Sequence, residues 1–194
     1  MNMTKWMPIL FLACTSCAKP FTLTASLNNQ PWFGTGEITE IHTKENETCI
    51  DDRFSILIRT DLPFNPVNAE FIRKATGCFG KCTPTQWLGL AHIPLKKGNY
   101  DLALPDTCLP TKVAKSDQSF RVSKASLLVM DPQTGNTQMS YQFSEADKSW
   151  VEVTSLNRTN GKIRGRFEVT LASSGGGQTV AFKRGKFRSK LMTQ

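Results

Sequence analysis

The chain has 194 residues, 39% of them hydrophobic and 23 of them Gly or Pro, and a formal net charge of +8. That balance excludes a disordered tail and a collagen-like repeat, and the length suits one domain with a proper core better than two. The basic excess directs attention to anionic partners.

Residues 1–17, MNMTKWMPILFLACTSC, start polar with Lys5, continue apolar from Trp6 to Ala13, and end in small residues and a cysteine. This is the layout of a secretory signal, and the run falls short of the ~20 apolar residues that a membrane-spanning helix needs. It resembles the lipoprotein signals of Gram-negative bacteria, in which the cysteine closing the apolar run becomes the acylated first residue of the mature chain. Cys17, preceded by Thr15 and Ser16, is the expected lipid site, with Cys14 as the alternative. Cleavage at Cys17 discards Cys14 and leaves four other cysteines, an even number for an export compartment. Ala18 and Lys19, with no acidic residue after the cysteine, point by the same resemblance to the outer membrane, with the domain periplasmic or surface-exposed. The mature domain is then 18–194, and only three residues separate Cys17 from Phe21. At about 3.5 Å per residue it sits against the membrane.

Strand signals follow at once. Phe21, Leu23, Ala25 and Leu27 alternate with Thr22, Thr24, Ser26 and Asn28, the period of a half-buried strand. The turn-like Asn28-Asn29-Gln30-Pro31 leads into Trp32, read as a core or rim aromatic, and a second strand through Ile38 and Ile41. Gly34 and Gly36 do not begin a dinucleotide loop, because residue 39 is Thr and no helix pattern follows. Arg53 to Arg59 alternate again. Leu62 to Gln86, with its prolines, glycines and the pair Cys78 and Cys82, reads as a long loop. Trp87–Ile93 and Asn99–Leu104 are expected to form a hairpin through Lys96-Lys97-Gly98. Phe120–Met130, Gln138–Phe143 and Trp150–Leu156 continue the series. The clearest pair is Ile163–Leu171 and Thr179–Phe187, joined through Ser173-Ser174-Gly175-Gly176-Gly177. With no amphipathic helix of about ten residues or more, the expected fold is all-β. It is an antiparallel sandwich or flattened barrel of about nine or ten strands, with a cysteine-stapled loop insertion.

Three features, Asn29-Gln30-Pro31-Trp32 shortly after the signal, the Gly98-Asn99-Tyr100 arm, and Gly161-x-Ile163-x-Gly165-x-Phe167 followed by Gly185-x-Phe187, resemble an uncharacterised family of small β-rich bacterial lipoproteins. The likeness spans most of the mature chain, and Leu62–Gln86 departs from it as an elaboration. The family carries no established activity, so the resemblance implies fold and address only.

In an oxidising compartment Cys49, Cys78, Cys82 and Cys108 are expected to pair as disulfides rather than to hold zinc. Of three possible connectivities, the spacing favours Cys49 with Cys78, symmetric about Pro63-Phe64, and Cys82 with Cys108, symmetric about the turn near Lys96. Each would close a loop of about 30 residues and contribute about 3–4 kcal/mol in the chain-entropy model. The sharper alternative is a soft-metal site for Cu(I) at Cys78 and Cys82 with His92, which lacks the βαβ scaffold that copper-delivery lipoproteins of the thioredoxin class use.

Catalytic signals are weak. His42 and His92 lie in no HExxH and beside no nucleophile, and no GxSxG occurs. Asp51 and Asp52 are adjacent, so on a strand they point to opposite faces. No enzyme, cofactor or resident metal is expected. Charge is the sharpest surface feature: nine basic residues stand between Arg158 and the C-terminus against the single acid Glu168. Lys162, Arg164 and Arg166 share one strand face at intervals of about 6–7 Å, and Lys183, Arg184, Lys186 and Arg188 follow on the partner. These seven are the candidate anion-binding residues, for lipopolysaccharide, an acidic glycan or anionic head groups. They are equally what the polar face of an amphipathic strand would show. Nucleic acid is disfavoured by the compartment and by the lack of interleaved aromatics. The function expected is a membrane-anchored, non-enzymatic binding or structural module of the envelope. The alternative is a lipocalin-like carrier of an apolar ligand, against which Trp32 follows Gln30-Pro31 instead of closing a GxW.

Overall fold

The computed structural model describes residues 22–41, 52–65, 69–102, 124–144 and 148–192. The signal segment, Cys14, Cys17, His42, Cys49, Asp51 and Cys108 lie outside them. Among the described residues ten strands form one sheet: β1 Leu23–Leu27, β2 Gln30–Ile41, β3 Arg53–Thr60, β4 Gln86–Pro94, β5 Gly98–Asp101, β6 Ala125–Met130, β7 Thr137–Phe143, β8 Trp150–Asn157, β9 Lys162–Ser173 and β10 Thr179–Met192. Among the described residues one short helix, α1 Ala69–Lys74, lies in the segment read from sequence as a loop. Among the described residues no helix is long and apolar enough to cross a membrane.

The sheet closes on itself. Eight strands run β1-β2-β3-β4-β6-β7-β9-β10 and return to β1, each neighbouring pair antiparallel. The all-β class is thus as expected, in its closed-barrel form, and closure removes the unpaired edges an open sheet would expose. Long β9 makes the one branch. Leu171–Ser173 at its C-terminal end pair with β7, while Lys162–Glu168 pair on the same side with β8, which carries β5 on its far edge. At the other seam β1 is only five residues long, and beyond it β10 meets β2 directly, in parallel, at Leu191–Ile38.

The first turn shows why these residues form this geometry. Leu27 faces Gln30, leaving a two-residue loop in which Asn28 and Asn29 have φ of 47° and 68°. Positive φ at both positions defines the type I′ turn whose twist matches that of paired strands, and asparagine tolerates it better than most residues. The Asn28 side chain also accepts the Ala181 amide, tying the turn to β10.

The expected Trp87–Ile93 and Asn99–Leu104 hairpin does not form. Both edges of β4 are occupied, by β3 and β6, and β5 pairs with β8 instead. The Lys96-Lys97-Gly98 turn is real, but it leads the chain out of the barrel rather than back along it.

Inside, Phe54, Ile56, Ile58, Leu88, Leu90, Leu127, Tyr141, Ile163, Phe167, Leu171 and Phe182 are almost wholly buried. An eight-stranded barrel has an interior just wide enough for side chains to fill or for one small ligand. Here aromatic side chains occupy it: Trp32 meets Phe182 edge-on at 5.2 Å, and Phe167 meets Phe182 at 6.5 Å.

Candidate functional site

The β9–β10 hairpin presents the basic residues, and its register comes from within. Gly165 lies opposite Phe187, and Gly185 opposite Phe167. A Cβ on Gly165 would stand 2.2 Å from the Phe187 ring, and one on Gly185 2.3 Å from the Phe167 ring. Each ring thus lies over the bare backbone of the glycine across from it, and each glycine leaves that space open. The two reciprocal pairs allow no slip, because a shift by one residue would drive a ring into a side chain and turn the apolar face outward.

With that register set, the outward residues fall opposite one another as Lys162 with Lys190, Arg164 with Arg188, and Arg166 with Lys186. All six are exposed. They make three successive like-charge rungs, repeating every two residues, or about 7 Å along the strands. Directly opposed like charges destabilise a sheet. Among the described residues no carboxylate lies within ion-pair distance of any of the six. Glu152 of β8 is in register with Arg166 without pairing to it. Around the Arg164–Arg188 and Arg166–Lys186 rungs is a groove of about 470 Å³, flanked by Thr22 and Thr24 on one side and Thr154 on the other.

The other basic candidates are not part of the ladder. Between Phe182 and Gly185 the β10 register shifts in a bulge, with Arg184 at φ 53° and its amide donating to the Glu168 carboxylate. Lys183 lies in the same bulge, in register with Ser26 of β1. Arg158 is drawn away, 3.3 Å from Asp52 and donating to the Leu95 carbonyl. Conversely, Lys190 and the three threonines belong to the site although sequence reasoning did not select them. The reciprocal Gly–Phe spacing was the available signal, since pairing Gly165 with Phe187 places Lys190 opposite Lys162.

The 61–85 segment is organised by a carboxylate. Asp61 accepts from the Thr76 amide and hydroxyl, from the Gly77 amide at 2.7 Å, and from the Cys78 amide at 3.4 Å. Burial by itself would push its pKa up, but the donors from Thr76 and Gly77 outweigh that and hold the carboxyl below its ordinary value. Thr35, on the outer face of β2, donates to the carbonyls of Gly77 and Cys78 and so fastens the loop to the barrel. Cys78 and Cys82 are disulfide-bonded to each other, their Cα atoms 5.1 Å apart. This corrects the expected pairings of Cys78 with Cys49 and Cys82 with Cys108. The tight turn, with positive φ at Gly77, Cys78 and Gly80, brings the two thiols of one loop together, and the hairpin that would have carried Cys108 back toward Cys82 does not exist. The bond also leaves neither thiolate to join His92 on a soft metal. Among the described residues no group of three or more His, Cys, Asp or Glu is placed to hold a metal ion.

A second, smaller pocket of about 250 Å³ opens near the first turn, between Asn28, Pro31, Leu62 and Ile72. At its base the Trp32 Nε1–H donates to buried Gln86, whose amide donates to the Leu62 carbonyl. These polar groups satisfy one another, as buried polar groups must, and Trp32 belongs to the core. Neither protein-family models, nor curated proteins, nor solved structures provide a match to this chain.

Proposed function

We propose that this chain is a non-enzymatic binding module of a Gram-negative envelope, lipid-anchored through Cys17 in the outer membrane, that contacts anionic envelope material through the outer face of β9 and β10. The anchor is supported by the signal-like sequence of residues 1–17, and the binding role rests on one observation: six exposed cations arranged as three opposed rungs with no carboxylate in ion-pair reach among the described residues. An arrangement that costs the fold stability is understandable where a ligand neutralises it, and site residues commonly trade stability for function. The side-chain-filled interior supports a surface-binding role over the lipocalin-like alternative, which needs an apolar hollow.

Two measurements on the full chain expressed in a Gram-negative host test this. Intact mass of the membrane-extracted protein should show a lipid on Cys17, and Cys17→Ala should release the protein from the membrane fraction. The extracted protein should also be retained on a sulfated-glycan matrix and eluted by salt. An unlipidated mature chain would overturn the anchor, and passage through the matrix at low salt would overturn the anionic partner.

A further inference from the structure

The basic face has a direction as well as a sign. Its cations form a double row along β9 and β10, with rungs repeating at about 7 Å. The row is bounded at one end by Glu168, which holds the Arg184 amide at the bulge. Such a row is unlike a patch that meets a plane. A membrane-docking face places large apolar side chains among its cations. Among the described residues, of the exposed large hydrophobics Leu57, Phe71 and Phe79 lie on β3 and the 61–85 segment, and Met192 alone adjoins the ladder, at the Lys190 end. The groove is flanked instead by threonines: the Thr22 and Thr154 hydroxyls donate to the Gly36 and Arg164 carbonyls and line it with fixed polar atoms, and Thr24 is exposed, a polar rim suited to a sugar rather than to acyl chains. Its aromatic residue, Phe187, is buried beneath the rungs and offers no surface on which a base could stack. At the centre are Arg164, Arg166 and Arg188, whose planar forks suit bidentate contact with phosphate, sulfate or carboxylate.

From these features, and resting on the binding role proposed above, we infer that the β9–β10 groove binds a linear anionic polysaccharide laid along the strands. Successive anionic groups of one chain engage successive rungs, the Arg164–Arg188 rung at the centre contributing most. Recognition therefore depends on chain length as well as charge.

The test is calorimetric titration of the intact protein at fixed salt with a size-defined series of heparin-derived oligosaccharides. Inorganic sulfate, phosphatidylglycerol vesicles and single-stranded poly(dT) serve as comparison probes. Affinity should rise with oligosaccharide length and level off once three rungs are spanned. Arg164→Ser with Arg188→Ser should weaken the longest oligosaccharide by about tenfold or more, the factor that corresponds to 1.4 kcal/mol. Lys96→Ser with Lys97→Ser, an equal change of charge outside the ladder, at the turn into β5 two strands from β9, should weaken binding far less. Arg164→Lys with Arg188→Lys keeps the charge and should give an intermediate loss. Thermal unfolding of each variant establishes that it is folded. Length-independent binding, or equally tight binding of vesicles or poly(dT), would overturn the linear-glycan inference while leaving an anionic partner in place. Failure of every anionic probe to bind would overturn both.

Discussion

Gly165→Ala tests the packing that sets the ladder's register. The new methyl would stand 2.2 Å from the Phe187 Cζ and 2.2 Å from the Glu152 carbonyl oxygen. The ring cannot simply swing away, because Phe187 is 2% exposed and packs against Phe54 with centroids 6.2 Å apart. The carbonyl belongs to β8, so its retreat disturbs the β8–β9 ladder. Overpacking of this kind costs about 1–3 kcal/mol. Alanine recovers up to about 1 kcal/mol of that by restricting the unfolded chain. With two contacts this short the net should be roughly 2 kcal/mol, a fall in Tm of about 4–8 °C for a domain of this size. Gly175→Ala, where the methyl meets nothing within 4 Å, is the control, expected within about 0.5 kcal/mol of the parent. Urea unfolding of Gly165→Ala, Phe187→Leu and the double variant completes a cycle. The double variant should be less destabilised than the sum of the singles by about 0.5 kcal/mol or more, with full recovery prevented by the Glu152 carbonyl. A Gly165→Ala protein as stable as the Gly175→Ala control, or strict additivity with Phe187→Leu, would refute the claim that the Gly–Phe pairs lock the register.

Arg188→Thr removes one member of the central rung, which faces Arg164 and is flanked on its own strand by Lys186 and Lys190. Relief of like-charge repulsion should raise stability by about 0.2–1 kcal/mol at low ionic strength. The gain should fade toward 1 M salt, where the Debye length is only about 3 Å; Tm across a salt series checks this, and a Tm that falls would show that the rungs do not repel. Asp61→Asn removes the charge that receives the Thr76 and Gly77 donors, at an expected cost of about 1–2 kcal/mol near pH 7, reduced from the buried value because the carboxylate is partly exposed. Since its folded pKa is held below the ordinary carboxylate value, this stabilisation is present above about pH 4 and is lost as pH falls through the folded pKa. Urea midpoints of parent and variant should therefore converge in acid, and a gap that stays constant would assign the effect to something other than the carboxylate's charge. Replacing both Cys78 and Cys82 by Ser opens a loop of only five residues. The entropy model gives this about 2 kcal/mol, and the Asp61 and Thr35 contacts should keep the loop in place, so far-UV circular dichroism of the barrel should not change.

The strands themselves were legible because alternation is local. Ile163, Phe167, Val169 and Leu171 against Lys162, Arg164 and Arg166 announce a strand and its buried face without reference to anything else, and the same holds for Phe54, Ile56 and Ile58. The Asn28-Asn29 turn was legible for a similar reason, since its backbone angles are a property of the two residues that adopt them. The helix α1 was not, because six residues are too few for a 3.6-residue period to declare itself.

Pairing is another matter. Whether Trp87–Ile93 returns along Asn99–Leu104 or is enclosed by β3 and β6 depends on which edges the rest of the chain has already taken, and no local signal in Lys96-Lys97-Gly98 reports that. The cysteine pairings failed with the hairpin on which they were drawn, while Asp61, 15 residues from Thr76, gathers the turn that joins Cys78 to Cys82. The candidate site divides in the same way. Sequence alone determined that the C-terminal strands carry a basic face, because side-chain direction alternates along each strand regardless of its neighbours. Only the tertiary structure decided which cations stand opposite each other, because register is a relation between strands, set here where two phenyl rings cover two glycines across the β9–β10 pair.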